Sequence, residues 1–221
     1  MSPEIIRLIA ASTLDTLYMV AAATAIGTVI GLPLGVFLAT SKRGELLSAP
    51  LANSVLGIIV NATRSTPFII LTVSIIPFTR LVAGTSIGTT AAIVPLAVAA
   101  TPFIARLVEG SIREVDQGLI EAARAMGASP VQILAKVLVP EALPGIVLGL
   151  TLAIVSLIGF SAIVGVVGGG GLGDLGIRYG YQRFMPDVMA AVVLVLILLV
   201  QGIQSLGDAL SRKLNKRVRH G

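Results

Sequence analysis

Four stretches of this chain, residues 16–41, 81–105, 142–173 and 188–207, contain no charged side chain. Each is at least as long as the roughly 20 apolar residues that an α-helix needs to cross the hydrocarbon of a bilayer. In that medium every backbone N–H and C=O must be satisfied internally, so the stretches read as membrane-spanning helices. A fifth candidate, residues 51–78, is apolar but interrupted by Asn61 and Arg64. Only 12% of the 221 residues are charged and mean hydropathy is +0.98, against about 25% charged in an ordinary soluble domain. That leaves almost no room for a water-soluble fold. The expected fold class is all-α: a polytopic membrane protein with five transmembrane helices.

A net charge of +5 is compatible with nucleic acid, but near a membrane basic residues gather on the cytoplasmic side. Five spans with the N-terminus outside put Lys42, Arg43, Arg64, Arg106, Arg113, Arg124, Lys136, Arg212, Lys213, Lys216, Arg217 and Arg219 inside, which is twelve of the sixteen basic residues. Arg7, Arg80, Arg178 and Arg183 fall outside. The orientation expected is therefore N-out and C-in, and the basic tail reads as a topology anchor. Glu4 precedes the first apolar residues and no small-residue cleavage site follows, so the first span is expected to stay in the protein. With no cysteine there is neither a disulfide framework nor a thiolate site.

Within the first span, residues 17–40, Gly27, Gly31 and Gly35 form a ridge of small residues along which a second helix backbone can approach closely. Pro33 can kink that span. Arg64-Ser65-Thr66-Pro67 reads either as a cytoplasm-side anchor or as an irregular, water-lined break. Gly168, Gly170 and Gly173 spell a dinucleotide-binding pattern, but the strand, the helix and the distal acid that such a site needs are missing. The segment 165–173 is instead expected to be a flexible or closely packed helix exit. Arg178, Tyr179, Tyr181, Arg183 and Phe184 read as interface-belt residues. Asn61-Ala62-Thr63 and the lone His220 call for no function.

The one sizeable polar block, residues 106–141, parses into a helical elbow. Residues 117–126 place Leu119, Ala122, Ala123 and Met126 on one face and Glu121 and Arg124 on another. Gly127 supplies a C-terminal stop. Ser129-Pro130-Val131-Gln132 is a capping-box start for a second helix, expected to end at Val139 before Pro140 and Pro144. The elbow resembles a DNA-reading helix pair, but membrane spans tether it on both sides. An apolar face too short for its own core suits the groove of a soluble partner.

The uncharged spans hold no ionisable group for a coupling ion, and the chain has neither a phosphate-cradling G-x-x-x-x-G-K-[ST] loop nor an acidic cluster for Mg²⁺. Uphill transport would draw its energy from another protein, through the elbow. Five helices are few for enclosing a path, so a homodimer with the path on its two-fold axis is expected. Ser74, Ser156, Phe160, Ser161 and Ile163 offer the hydroxyls and bulk to line it.

The elbow carries Glu121-Ala122-Ala123, Gly127, Val137 and Val139-Pro140. This resembles the signature of ABC-importer permeases: E-A-A, three residues, glycine, nine residues, then a branched residue, any residue and leucine-proline. Val137 and Val139 are conservative departures from isoleucine and leucine. Through Arg64-Ser65-Thr66-Pro67-Phe68-Ile69-Ile70-Leu71, Ile76-Pro77-Phe78-Thr79-Arg80, Gly84-Thr85-Ser86-Ile87-Gly88 and Gly170-Gly171-Leu172-Gly173, nearly the whole chain is similar to permeases of the methionine-uptake family.

The resemblance implies one permease domain over residues 1–221, with a coupling region at about 109–141 in which Glu121, Ala122, Ala123, Gly127, Val137 and Pro140 seat against an ATPase. It further implies a multi-pass homodimer among the lipids of the bacterial cytoplasmic membrane, two cytoplasmic ATPase subunits holding ATP and Mg, and an external methionine-binding lipoprotein. The chain itself would hold no cofactor. Such permeases tend to have methionine after a Gly-aromatic-Ser-Ala stretch near the gate, whereas Gly159-Phe160-Ser161-Ala162 leads here to Ile163. An importer for another small polar solute, or a membrane scaffold that moves no solute, are the competing readings.

Overall fold

The structure, a computed structural model, describes residues 2–215. Lys216, Arg217, Arg219 and His220 lie outside that range. All regular structure among the described residues is helical.

Helix α1 (Pro3–Thr40) begins well before its apolar run, because Glu4, Arg7 and Asp15 limit where the membrane can start but not where a helix can. Ser2 caps it, accepting the Ile5 N–H at 3.4 Å, with Pro3 in the first turn. Its glycine ridge lies on α5 (Thr89–Arg113). A Cβ on Gly27 would come within 2.7 Å of the Ala100 Cβ, and one on Gly31 within 2.7 Å of the Thr101 carbonyl. The small residues thus set the α1–α5 separation, and Met19, Leu96 and Ile104 fill the layer beside them with no exposure at all.

The fifth candidate span is broken. Helix α2 (Pro50–Ser65) and helix α3 (Phe68–Ser74) meet at 104°. Pro67 has no N–H to continue the ladder and drives Thr66 into an extended conformation with ψ 125°. A short α4 (Ile76–Ala83) follows and stops at the left-handed Gly84.

After α5 come α6 (Gln117–Ala125) and α7 (Pro130–Ile133), then a π-helical turn over Leu134–Leu138 that runs directly into α8 (Val139–Val166). Pro140 and Pro144 do not end the second elbow helix as expected. Pro140 occupies the first turn of α8, and the wider π turn, where the Val139 N–H reaches the Leu134 carbonyl, absorbs the mismatch. Residues Pro130–Val166 therefore form one helical span of 37 residues. It packs on α5 where Gly149 meets Leu107.

The glycine-rich exit is closely packed: a Cβ on Gly173 in α9 (Gly171–Leu175) would collide with the backbone of Ala162. The Leu172 N–H donates to the Thr16 hydroxyl at 2.9 Å, tying this turn to α1. A second π turn, Gly176–Tyr181, leads to α10 (Pro186–Leu214), whose Gly207 lies against Thr151 of α8. Near that turn Arg183 covers the Tyr179 ring at 4.3 Å, and Phe184 is exposed. Among the described residues four helices are long and apolar enough to cross a membrane, and the bent α2–α3 pair makes a fifth span if counted as one.

Candidate coupling elbow and translocation cleft

The elbow is held by local hydrogen bonds at three places. Asp116 caps α6 through the Gly118 N–H at 2.7 Å. Gly127, at φ 78°, closes α6 while the Ala128 N–H returns to the Ala123 carbonyl at 3.0 Å. Ser129 and Gln132 form a reciprocal capping box, with the Ser129 N–H bonded to Gln132 Oε1 at 2.9 Å.

The apolar face expected on α6 divides. Ala123 is buried in the core, with Ile120 packed against it. Leu119, Ala122 and Met126 point into solvent, and Met126 is 81% exposed. Val131 of α7 extends this apolar surface. Glu121, Gly127 and Pro140 are exposed and Val137 is half-buried.

Beneath the elbow, Glu109 is buried at 6% exposure between two arginines of its own helix. It pairs with Arg106, and with Arg113 at 2.7 Å. Arg106 also donates to the Asn61 Oδ1 at 2.8 Å and to the Gly57 carbonyl at 3.2 Å, and Arg113 reaches the Leu38 carbonyl at 3.4 Å. One carboxylate thereby fixes α5 to both α1 and α2. Sequence reading counted both arginines only as topology charges. Their i, i+3 and i+4 spacing about Glu109 was the available signal.

The helix break opens a cleft of about 430 Å³. Thr63, Arg64, Thr66 and Pro67 form one side, Ser156 and Phe160 of α8 the other, and Phe68, Leu71, Ala99 and Phe103 complete the wall. Phe68 and Phe160 stack with centroids 4.4 Å apart. Among the described residues no carboxylate pairs with Arg64. An arginine at the centre of a span costs roughly 2.5–3.5 kcal/mol or more, a cost that snorkelling to the interface, water or an anion relieves.

Two of the five residues expected to line a path, Ser156 and Phe160, meet at this cleft with Arg64. The other three lie elsewhere. Ser161 is buried, donating to the Ile158 carbonyl at 2.7 Å; Ser74 is exposed and donates to the Leu71 carbonyl at 2.9 Å; and Ile163 is exposed on α8.

The chain is similar to known proteins along almost its whole length. A probable D-methionine transport system permease protein, MetI, of Vibrio cholerae is 54% identical over 210 residues, covering 95% of this chain and 93% of that one. The protein of the same description from Pasteurella multocida is 49% identical, covering 98% and 100%. Among solved structures, a chain from inward-facing conformations of the MetNI methionine ABC transporter superposes with a TM-score of 0.95 at 48% identity, covering 98% of this chain and 100% of that one. An amino acid ABC transporter crystallised with histidines shares the fold at a TM-score of 0.79 and 21% identity, over 95% of each chain. The family model for binding-protein-dependent transport system inner membrane components matches residues 31–220. The chain belongs to that family, as a membrane component of a transporter rather than a catalytic subunit.

Proposed function

We propose that this chain is the permease subunit of an ATP-driven importer that carries methionine across the bacterial cytoplasmic membrane. The observation that carries the reading is the near full-length match to proteins described as D-methionine permeases, together with a TM-score of 0.95 to a methionine ABC transporter chain. One domain of five spans, N-out and C-in, acts as a homodimer in the lipid bilayer. Two cytoplasmic ATPase subunits bind ATP and Mg, and a methionine-binding lipoprotein delivers solute from outside.

Coupling runs through residues 109–141. Leu119, Met126 and Val131 give an ATPase groove an apolar face, while Glu121, Ala122, Ala123, Gly127, Val137 and Pro140 define the elbow that presents it. Movement of the elbow passes into α8 without an intervening loop. Ser74, Ser156, Phe160, Ser161 and Ile163 are the proposed path or gate residues. Ser161 requires α8 to rotate or the dimer to open before it meets solute, since it is buried within its own chain.

The test is reconstitution. In liposomes the chain alone should neither hydrolyse ATP nor accumulate methionine; with the ATPase and the external binding protein both activities should appear, and methionine should stimulate ATP turnover. Accumulation by the chain alone under a proton or sodium gradient overturns the assignment. ATPase docking without flux of any solute favours the scaffold reading, and uptake of a different amino acid reassigns the solute.

A further inference from the structure

The lining of the cleft at the α2–α3 break is chemically one-sided. Among the described residues it contains one cation, Arg64, and no carboxylate. Its three hydroxyls spend their protons on their own backbones: Thr63 on the Ile59 carbonyl at 3.0 Å, Thr66 on the Ala62 carbonyl at 3.2 Å and Ser156 on the Leu152 carbonyl at 2.9 Å. A hydroxyl used in this way keeps only lone pairs to offer, so these oxygens are acceptors. The rest of the wall is apolar: the stacked Phe68–Phe160 pair and Phe103, with Pro67, Leu71 and Ala99 beside them. Such a lining matches an anion at one point, a donor at another and an apolar body between them. The volume of about 430 Å³ is in the range of small-molecule sites.

We propose that this cleft is a binding site in the membrane subunit itself for an α-amino acid with an apolar side chain. The solute carboxylate lies on the Arg64 guanidinium, its ammonium is accepted by the hydroxyl oxygens, and its side chain rests on the phenylalanines. A thioether suits that wall, because sulfur packs favourably at aromatic ring edges. The other large clefts flank the elbow and carry charges of both signs, such as Lys136 with Glu141 and Arg124 with Glu121, which does not select a zwitterion with an apolar tail. The site rests on the reading of the chain as an amino acid permease.

The test uses the complete complex with its ATPase, in nanodiscs and without the binding protein, probed with radiolabelled L-methionine and with L-methionine methyl ester, which lacks the anion. Wild type is expected to bind methionine and to bind the ester more weakly. Arg64→Gln should weaken methionine binding about 10- to 100-fold, the loss of a charge-assisted contact, while leaving ester affinity unchanged. Arg64→Lys should recover part of the loss, and Arg7→Gln, remote from the cleft, should change nothing. The difference between the two ligands is the readout that a merely structural Arg64 would not give. Equal methionine affinity in wild type and Arg64→Gln, equal losses for both ligands, or no methionine binding by a complex that transports methionine with its binding protein, each overturns the site. If the complex instead transports another apolar amino acid whose binding depends on Arg64, the site stands and the methionine reading falls. If its solute has no carboxylate, both fall.

Discussion

Phe160 of α8 stacks on Phe68 of α3, with ring planes 13° from parallel and centroids 4.4 Å apart. The pair ties the segment beyond the helix break to α8. Stacked aromatics contribute about 0.5–1.5 kcal/mol beyond the area they bury. A double-mutant cycle on Phe68→Ala and Phe160→Ala, read by thermal unfolding in detergent, should show coupling of about that size. Simple additivity would mean that the rings are neighbours without being partners.

The glycine ridge predicts a sharp difference between two substitutions of one type. Gly31→Ala forces a methyl within 2.7 Å of the Thr101 carbonyl. The resulting overpacking should destabilise the α1–α5 pair by about 1–3 kcal/mol. Gly110, in an ordinary helical position on α5 with nothing within 4 Å of its Cβ, should tolerate alanine and gain up to about 1 kcal/mol. Detergent melting temperatures of the two variants decide it.

Removing Glu109 leaves Arg106 and Arg113 without their shared carboxylate. Breaking a buried pair from one side costs about 3–5 kcal/mol, and Arg106 would at the same time lose the geometry that holds Asn61 and Gly57. Glu109→Ala should therefore be among the most destabilising changes on α5. Arg113→Gln should cost much less, because the Arg113 side chain is 39% exposed. Chemical unfolding of both variants in the same detergent checks the order.

Gly127 has room for a side chain but not the backbone for one: nothing lies within 4 Å of its Cβ, yet its φ is 78°. A β-branched residue there is strained by about 1–3 kcal/mol. Gly127→Val should reorient α7 relative to α6, giving a complex that hydrolyses ATP but imports poorly. Wild-type uptake with wild-type assembly in that variant would refute transmission through the elbow.

The chain has no cysteine, so single introduced thiols report position cleanly. Ser156→Cys, on the wall of the cleft, should react with aqueous maleimide in one nucleotide state of the complex and not in the other. Ser161→Cys, buried within its own chain, should label far more slowly in the resting complex. Equal rates at both positions in every state would remove Ser156 from the path.

The parts of this structure legible in the sequence are those decided locally. Uncharged runs mark spans because the bilayer sets both their length and their composition, and the elbow is legible because Ser129, Gln132 and Gly127 act on backbone groups a few residues away. Where distant segments decide, the sequence is mute. Ser156 and Ser161 are equally polar in the alignment of letters, yet five helical residues turn through about 140°, so one faces the cleft and the other the core. Pro67 announces a break but not its 104°. The prolines at 140 and 144 suggested a helix end, and only the π turn over Leu134–Leu138 reveals how the chain continues.

That continuity gives the elbow an uneven stiffness. Pro140 and Pro144 lie four residues apart and so on one side of the helix, and neither has an N–H to return to the preceding turn. The helix from Pro130 to Val166 is thus stitched along one flank and unstitched along the other near its Pro130 end. A push on the elbow in the plane of the two prolines should meet a soft hinge, whereas a push across that plane should be carried further along the helix. Direction of force, and not only its size, then decides whether the two ends of the molecule communicate.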